Sequence, residues 1–302
     1  MAVHPSRRKR PRLTLPVVAG VLLSAILAGA GWAWAGYDRG PTVIDRVATY
    51  SAAPPVAGSP SRGAGSFAAG DPPALSSAPT KTIVAVLGDS VPAGSSCNCP
   101  AFGDEYGQQI AATTRRSVTV NNLGTPRQTS EGLLASLSAT GAAAVVAGAD
   151  IVTITIGAND FAYSGYAPDS CPTLSCYGPS LQQMRSAVDA LLDRIAALRA
   201  GRPTAVRVTG YWDIWKDGAV GRAQGKQYDG VGDALTSQVN ASLHASALAH
   251  GAVYVDLFHA FRGLSGTDDD TSLLSSDGDH PNSSGHHQIA EALLRSGLSP
   301  LD

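Results

Sequence analysis

From residue 81 onward, short continuous apolar runs alternate with longer segments of helical period. The runs have four to six residues each and predict strands at Thr82–Leu87, Val118–Asn121, Ile151–Ile156, Ala205–Thr209 and Val253–Asp256. Helical patterns lie near 104–115, 130–147, 180–200, 229–249 and 284–296. Strands that alternate with helices pair in parallel through right-handed crossovers. The pattern therefore predicts an α/β fold, a three-layer α/β/α sandwich with about five parallel strands.

The N-terminal part has a different pattern. A basic stub at residues 1–12 precedes 23 uncharged residues at 13–35. As a helix these would rise ~35 Å, enough to cross a hydrocarbon core of ~30 Å, and the basic stub would stay in the cytoplasm. Ala33-Trp34-Ala35 also fits the cleavage site of a signal peptide. The length favours an uncleaved transmembrane anchor, and both interpretations place the remaining chain outside the cytoplasm.

Composition separates a linker from a single domain. Ala, Ser, Gly and Pro fill 24 of the 30 positions in 51–80, which leaves nothing to form a core. We predict an Ala/Pro/Ser/Gly-rich linker at 36–80 and one domain at 81–302. The domain has 14 basic and 21 acidic residues, and the whole chain has a net charge of −2. An acidic domain behind a basic stub argues against nucleic acid as a partner.

The four cysteines all lie in predicted loops. They are Cys97, Cys99, Cys171 and Cys176, and an even number in an exported chain indicates two disulfides. Three pairings are possible, and the sequence does not choose among them. A zinc site with four thiolates is the alternative, but the flanking loops lack a zinc-knuckle pattern.

Candidate chemistry lies just after the predicted strands, where parallel sheets gather their functional groups. Gly88-Asp89-Ser90 follows the first strand, Asn122-Leu123-Gly124 the second and Gly157-Ala158-Asn159-Asp160 the third. A serine hydroxyl is a potential nucleophile, while a glycine N–H and an asparagine amide are donors that can stabilise an oxyanion. Each block also has a plain structural interpretation as a helix cap, a turn glycine or an Asx turn.

A fourth block lies beyond the fifth strand, at Asp277-Gly278-Asp279-His280-Pro281-Asn282. Asp277 can fold back across Gly278 onto the imidazole of His280, which leaves the other ring nitrogen free to act as a base. Asp268, Asp269 and Asp270 crowd the same region and raise the alternative of a metal loop. The spacing of an EF-hand is missing, so no metal is predicted.

Together, the four blocks resemble the SGNH hydrolases, also called the GDSL esterase/lipase family, over 81–302. Thr209-Gly210-Tyr211-Trp212-Asp213 resembles the matching strand end of exported actinobacterial members. The resemblance implies an SGNH or flavodoxin-like sheet with no metal or organic cofactor. It implies a catalytic set of Ser90 as nucleophile, His280 as base and Asp277 to orient it, with an oxyanion hole of Ser90 N–H, Gly124 N–H and the Asn159 amide.

Two positions depart from the family pattern. Val91 stands where many members have leucine, which we expect to be harmless, and Pro126-Arg127 stands where many have a second glycine. The remaining histidines of the domain lie away from the matching motifs and are expected to be structural: His244, His250, His259, His286 and His287.

The resulting expectation is an exported serine esterase. It would hydrolyse carboxylic esters through an acyl-serine intermediate, with short or medium acyl esters, lipids or O-acetylated glycans as substrates. An ester substrate of the cell envelope is the expected partner, together with the membrane if 13–35 stays uncleaved. The alternatives are a transacylase on the same fold and a non-catalytic module that binds cell-wall carbohydrate.

Overall fold

The computed structural model describes residues 47–52, 81–162 and 173–301, all of them within one compact unit, Pro41–Asp302. The strands in these ranges are β1 (Val47–Tyr50), β2 (Lys81–Gly88), β3 (Ser117–Asn122), β4 (Ile151–Thr155), β5 (Ala205–Thr209) and β6 (Val253–Val255). The helices are α1 (Phe102–Thr114), α2 (Ser130–Ser136), α3 (Thr140–Gly148), α4 (Asn159–Ala162), α5 (Gly178–Arg199), α6 (Gly218–Arg222), α7 (Lys226–Ala249), α8 (Leu257–Arg262) and α9 (Ser283–Arg295). Short 3₁₀ turns lie at Leu174–Tyr177 and Thr271–Leu273.

The strands form one sheet in the order β1-β3-β2-β4-β5-β6. Strands β2 to β6 run parallel, with Val84 of β2 opposite Val120 of β3 and Ile151 of β4. The helices form two groups: α1 and α8 pack against α9, whereas α2, α3 and α7 pack against α5. The predicted α/β sandwich with five parallel strands is confirmed, and all five predicted strands are found within two residues of their expected bounds.

Strand β1 was not expected. It pairs antiparallel with β3, with Val47 opposite Asn121 and Tyr50 opposite Val118. The predicted linker at 36–80 therefore needs correction at these four residues, which belong to the sheet. The reason is that a four-residue edge strand depends on backbone hydrogen bonds to its neighbour. Such a strand leaves almost no hydrophobic pattern of its own.

The helix predicted over 130–147 is two helices, α2 and α3, bent by 89°. The Ser136 hydroxyl donates to the Leu133 carbonyl at 2.7 Å, a bond that competes with the helical backbone pattern and favours termination there. No single helix in the described ranges is long and apolar enough to cross a membrane, and α2 with α3 reaches the required length and hydropathy only as a bent pair. The predicted anchor or signal peptide at 13–35 lies outside the described residues.

The centre of the sheet carries the core. Every residue of β4 is buried, and so is β2 from Val84 to Gly88. Strands buried on both faces are typical of a parallel sheet covered by helices. Because the strands are parallel, the segments after β2, β3, β4 and β5 all emerge at one edge of the sheet.

Candidate active site

The turn that holds Ser90 depends on a close approach between β2 and β4. Gly88 has φ +136°, and a Cβ there would lie 1.9 Å from the Thr155 carbonyl oxygen. The Asp89 N–H donates to that same oxygen at 3.1 Å. Only glycine fits this contact, after which the chain turns sharply, with Ser95 N–H donating to the Ser90 carbonyl at 3.0 Å. Ser90 is thereby presented half-buried at the edge of the sheet.

Asp89 and Tyr211 connect three strand ends beneath this edge. The buried Asp89 carboxylate accepts hydrogen bonds from Val91 N–H at 3.0 Å and from the Tyr211 hydroxyl at 2.5 Å. The Tyr211 oxygen in turn accepts from Ala158 N–H at 3.5 Å. Burial raises the pKa of Asp89 to about 6, although both hydrogen bonds oppose the rise. Both residues lie within the sequence motifs, which by themselves assign them no role.

His280 and Asp277 form the hydrogen bond that the sequence led us to expect. His280 Nδ1 lies 2.8 Å from Asp277 Oδ2 and 3.8 Å from Asp279 Oδ2. Asp277 Oδ1 also accepts the backbone N–H groups of Asp279 and His280, each at 3.0 Å. With Nδ1 engaged, Nε2 is the ring nitrogen left to exchange a proton with substrate or nucleophile. The contact is present, while its role in catalysis stays a prediction.

Electrostatics favour an ionised Asp277. Partial burial raises the pKa of this carboxyl, but hydrogen bonds from Ser96, from the two backbone N–H groups and from His280 together hold it well below its usual range. Asp279 behaves differently, because burial raises its pKa. A permanently charged Asp277 is the partner that best stabilises an imidazolium.

Ser96 is a residue of this site that lies outside every sequence motif. Its hydroxyl lies 3.4 Å from His280 Nδ1 and contributes a hydrogen bond to Asp277, while its carbonyl accepts from the Ser275 hydroxyl at 3.1 Å. No local signal marks Ser96, because its partners lie about 180 residues further along the chain.

Asn159 reaches the site from the start of α4. Its side-chain amide donates one N–H to the Gln128 carbonyl at 3.0 Å, which leaves the second N–H of the NH₂ group for another acceptor. Its neighbour Asp160 accepts both the N–H and the hydroxyl of Ser130 at the start of α2. These bonds fix the segment after β4 against the loop after β3.

Gly124 packs tightly against the segment that follows Ser90. Its N–H donates to Asn122 Oδ1 at 2.9 Å, and the residue is not part of the cavity wall that Ser90 lines. A Cβ at this position would lie 2.5 Å from the Ala93 nitrogen. The glycine is therefore required for close packing against the segment after Ser90, while its donation to an oxyanion stays a prediction.

Ser90, Asn159 and His280 line one cavity of about 210 Å³. Asp277 lies behind His280, outside the cavity wall. Aromatic side chains also line it: Trp212, Trp215 and Tyr228, with the ring centroids of Trp215 and Tyr228 5.4 Å apart. The remaining lining residues are Asp89, Val91, Ala158, Tyr211, Asp213, Ile214, Lys216 and Asp279. The predicted nucleophile, base and amide donor thus face the same space.

The other histidines and the cysteines within the described ranges do not line this cavity. His286 is fully buried, its Nδ1 accepts the Phe102 N–H at 3.2 Å, and burial lowers its pKa to about 4. Nor do His244, His250, His259 and His287 line the cavity.

Cys97 is joined to Cys99 in a disulfide and Cys176 is also disulfide-bonded, whereas Cys171 lies outside the described residues. Cys97, Cys99 and His286 bring three ligand atoms within 4.8 Å, but sulfurs in a disulfide are not thiolate ligands.

Comparison with known proteins gives a consistent picture. A lipase from a goat rumen metagenome superposes with a TM-score of 0.61 at 20% identity, covering 73% of this chain and all of that one. A lipase/acylhydrolase from Enterococcus faecalis gives 0.52 at 21% identity, covering 72% and 95%. A catalytic mutant of an acetylxylan esterase from Geobacillus stearothermophilus gives 0.53 at 18% identity, covering 73% and 95%. At these identities the structures show a shared fold.

No relative was found among curated protein sequences. The model of the GDSL-like lipase/acylhydrolase family matches residues 86–288, which is more than half of the chain and includes all four sequence blocks. The protein therefore belongs to the GDSL-like lipase/acylhydrolase family and is an ester-hydrolysing enzyme.

Proposed function

We propose that this protein is an exported serine esterase for short acyl esters, with Ser90 as nucleophile and His280 as general base. The observation that carries the proposal is the cavity shared by Ser90, Asn159 and His280, with Asp277 hydrogen-bonded to His280 Nδ1 at 2.8 Å. A nucleophile, a base with its orienting carboxylate and an amide donor are the groups that acyl transfer requires.

The reaction proceeds in two halves. Ser90 Oγ attacks the ester carbonyl carbon as His280 Nε2 takes its proton, and Asp277 stabilises the imidazolium that results. The Asn159 amide and the Ser90 N–H donate to the oxyanion. Collapse of the tetrahedral intermediate breaks the bond to the alcohol, which leaves with the proton from His280. Water then attacks the acyl-serine with the same base and releases the carboxylic acid and Ser90.

The size of the cavity supports short acyl groups. Pockets for drug-sized ligands measure about 300–1,000 Å³, whereas this cavity measures about 210 Å³. An acetyl or butyryl group fits such a volume, together with the first atoms of the alcohol. The rings of Trp215 and Tyr228 in its wall suit a flat apolar face of the leaving alcohol, such as one face of a sugar.

Two features support export, the N-terminal sequence and the disulfides. The basic stub at 1–12 and the apolar stretch at 13–35 fit a membrane anchor or a signal peptide, and the disulfides fit an oxidising compartment. The resemblance of Thr209–Asp213 to exported actinobacterial members points the same way. We propose an extracytoplasmic enzyme whose substrate is an ester of the cell envelope.

The test uses purified full-length protein and p-nitrophenyl esters from acetate to laurate. We expect kcat/KM to be greatest for chains of two to four carbons and to decline with length. Ser90→Ala should abolish turnover and labelling by a fluorophosphonate, whereas Ser95→Ala should retain both. Labelling at another serine would refute the assignment of the nucleophile.

The same assay distinguishes an esterase from the two alternatives, a transacylase and a non-catalytic binding module. Ester consumption that releases less free acid when an alcohol acceptor is added would indicate a transacylase. A folded protein that turns over no ester of the series would favour a binding module.

A further inference from the structure

Tyr211 and Asp89 form a buried pair that has no part in the proton transfer between Ser90 and His280. Each of the two residues is 1% exposed, and both contribute to the wall of the cavity that holds Ser90. The Tyr211 hydroxyl donates to Asp89 Oδ2 at 2.5 Å. Burial and the negative charge of Asp89 raise the pKa of Tyr211 well above its ordinary value, so the phenol keeps its proton. A neutral donor on an ionised carboxylate makes one of the stronger hydrogen bonds in proteins.

The Asp89 carboxylate fixes the backbone on both sides of Ser90. Its Oδ1 accepts the Val91 N–H at 3.0 Å, so the carboxylate spans Ser90 from the residue before it to the residue after it. This turn, closed by an aspartate side chain, limits the rotation of the peptide group that carries the Ser90 N–H. The direction of that donor therefore depends on where the Asp89 side chain is held.

The hydrogen-bonded ladder between β2 and β4 ends before the oxyanion donors begin. Its last residue pair is Gly88 with Thr155, after which the Asp89 N–H adds one bond to the Thr155 carbonyl. Ser90 and Asn159 both lie beyond this point. The ladder by itself therefore does not fix the distance between the Ser90 N–H and the Asn159 amide.

The Tyr211 hydroxyl connects these two segments. While it donates to Asp89, its oxygen accepts the Ala158 N–H at 3.5 Å, and Ala158 directly precedes Asn159. A hydroxyl can donate one bond and accept two, so one phenol serves both segments. Tyr211 follows β5 and is anchored to α7, because its backbone N–H donates to Asn240 Oδ1 at 2.9 Å and its carbonyl accepts from Asn240 Nδ2 at 2.8 Å.

We propose that Tyr211 is a positioning residue for the oxyanion hole, and that its hydroxyl sets the separation between the Ser90 N–H and the Asn159 amide. Oxyanion donors act at about 2.7–3.1 Å from the developing charge, and a misplacement of about 1 Å can lower a rate about 10²-fold. The role of Tyr211 rests on the proposed function, because it concerns the same Ser90 chemistry. Tyr211 acts through Asp89 and Ala158, without a proton transfer of its own.

The test is the kinetics of Tyr211→Phe, which removes the hydroxyl and keeps the ring. Assays use purified full-length protein and p-nitrophenyl acetate at about pH 8, where Asp89 is ionised. We expect kcat to fall at least tenfold, which is about 1.4 kcal/mol of activation free energy, with KM changed less than about twofold, because the donors act on charge that develops in the transition state. Circular dichroism checks that the variant is folded at the assay temperature. Tyr106→Phe is the matched control, because it removes a buried hydroxyl that has no hydrogen-bond partner in the part of the chain that the structure describes, and it should keep the wild-type kcat.

A second variant tests whether Tyr211 acts through Asp89. Asp89→Asn keeps the size of the side chain and an acceptor for the Val91 N–H, but it removes the charge that the Tyr211 hydroxyl binds. We expect Asp89→Asn to lower kcat as well. The loss in the double variant should be at least about threefold smaller than the product of the two single losses, because both substitutions remove the same bond. If Tyr211→Phe does not fold, the fall of kcat at unchanged KM in Asp89→Asn decides the matter.

Labelling with a fluorophosphonate distinguishes a failure of this proposal from a failure of the proposed function. Ser90 of Tyr211→Phe should be labelled to the wild-type extent but more slowly, because the nucleophile and base remain while the oxyanion donors are displaced. A Ser90→Ala variant that keeps turnover would refute the proposed function and the role of Tyr211 with it. If Ser90→Ala is inactive, a wild-type kcat in Tyr211→Phe, a loss confined to KM, or losses that multiply in the double variant would overturn the role of Tyr211 alone.

Discussion

Replacing Asp277 by asparagine removes the charge of this side chain and keeps its size, so it tests what the charge contributes to activity. In the structure Asp277 accepts the backbone N–H groups of Asp279 and His280 through Oδ1 and contacts the His280 imidazole through Oδ2. An asparagine oxygen can still accept the two backbone N–H groups, so the loop should keep its conformation. The substitution changes the group that faces His280 Nδ1, from a charged carboxylate oxygen to a neutral amide.

The expected loss has two parts. A hydrogen bond to a charged group contributes about 1.5–3 kcal/mol, and its loss lowers the rate by roughly 10- to 150-fold. The asparagine amide also donates a proton to Nδ1, which stabilises the tautomer whose Nε2 already carries hydrogen and cannot accept one. We therefore expect kcat to fall by at least ~10²-fold in Asp277→Asn, with little change in KM because Asp277 does not line the cavity.

Asp279→Asn is the matched control. Its carboxylate lies 3.8 Å from His280 Nδ1 and forms no hydrogen bond with it, so we expect a loss of less than about tenfold. Both variants are assayed with p-nitrophenyl acetate, and circular dichroism checks that their Tm values match the wild type. If Asp279→Asn is as damaging as Asp277→Asn or worse, the assignment of the orienting carboxylate is refuted.

Three further predictions test other parts of the structure. Asn159→Ala should lower kcat by ~10²–10³-fold with KM nearly unchanged, because its amide acts on charge that develops in the transition state; a change in KM alone would contradict this. Ser96→Ala should lower kcat about three- to tenfold, as expected for one lost hydrogen bond, whereas Ser95→Ala should have no effect. Burial lowers the pKa of His286 from 6.5 to about 4, so its contribution to stability is complete above pH 6.5 and is lost as the pH falls towards 4. In urea unfolding, the free energy of unfolding of His286→Gln should change less over this pH range than that of the wild type, by about 3 kcal/mol. An equal change in the two proteins would count against the assignment.

The sheet and its site-bearing edge could be predicted because both depend on local pattern. Strands such as Ile151–Thr155 are continuous apolar runs, and a parallel sheet then brings the residues after each strand to one edge. The expected contact between Asp277 and His280 was also local, since they are only three positions apart. These features require no knowledge of distant neighbours.

The features that were missed depend on contacts between distant segments. The missing side chain of Gly124 accommodates Ala93, about 30 residues earlier. Ser96 meets His280 across about 180 residues. The short helix α6 and strand β1 are held by their neighbours, because elements of four or five residues have little stability alone. The hydrophobic periodicity of the sequence does not predict such contacts.

Strand β1 also determines where the folded unit can be cut. It covers the outer edge of β3, and Tyr50 fastens it by donating to Asp104 Oδ1 at 2.8 Å while its ring packs over Gly107. A protein shortened to begin at Lys81 would leave the six-residue strand β3 with open backbone groups, a template for pairing with other chains. Such a fragment should self-associate at concentrations where one beginning at Pro41 stays monomeric.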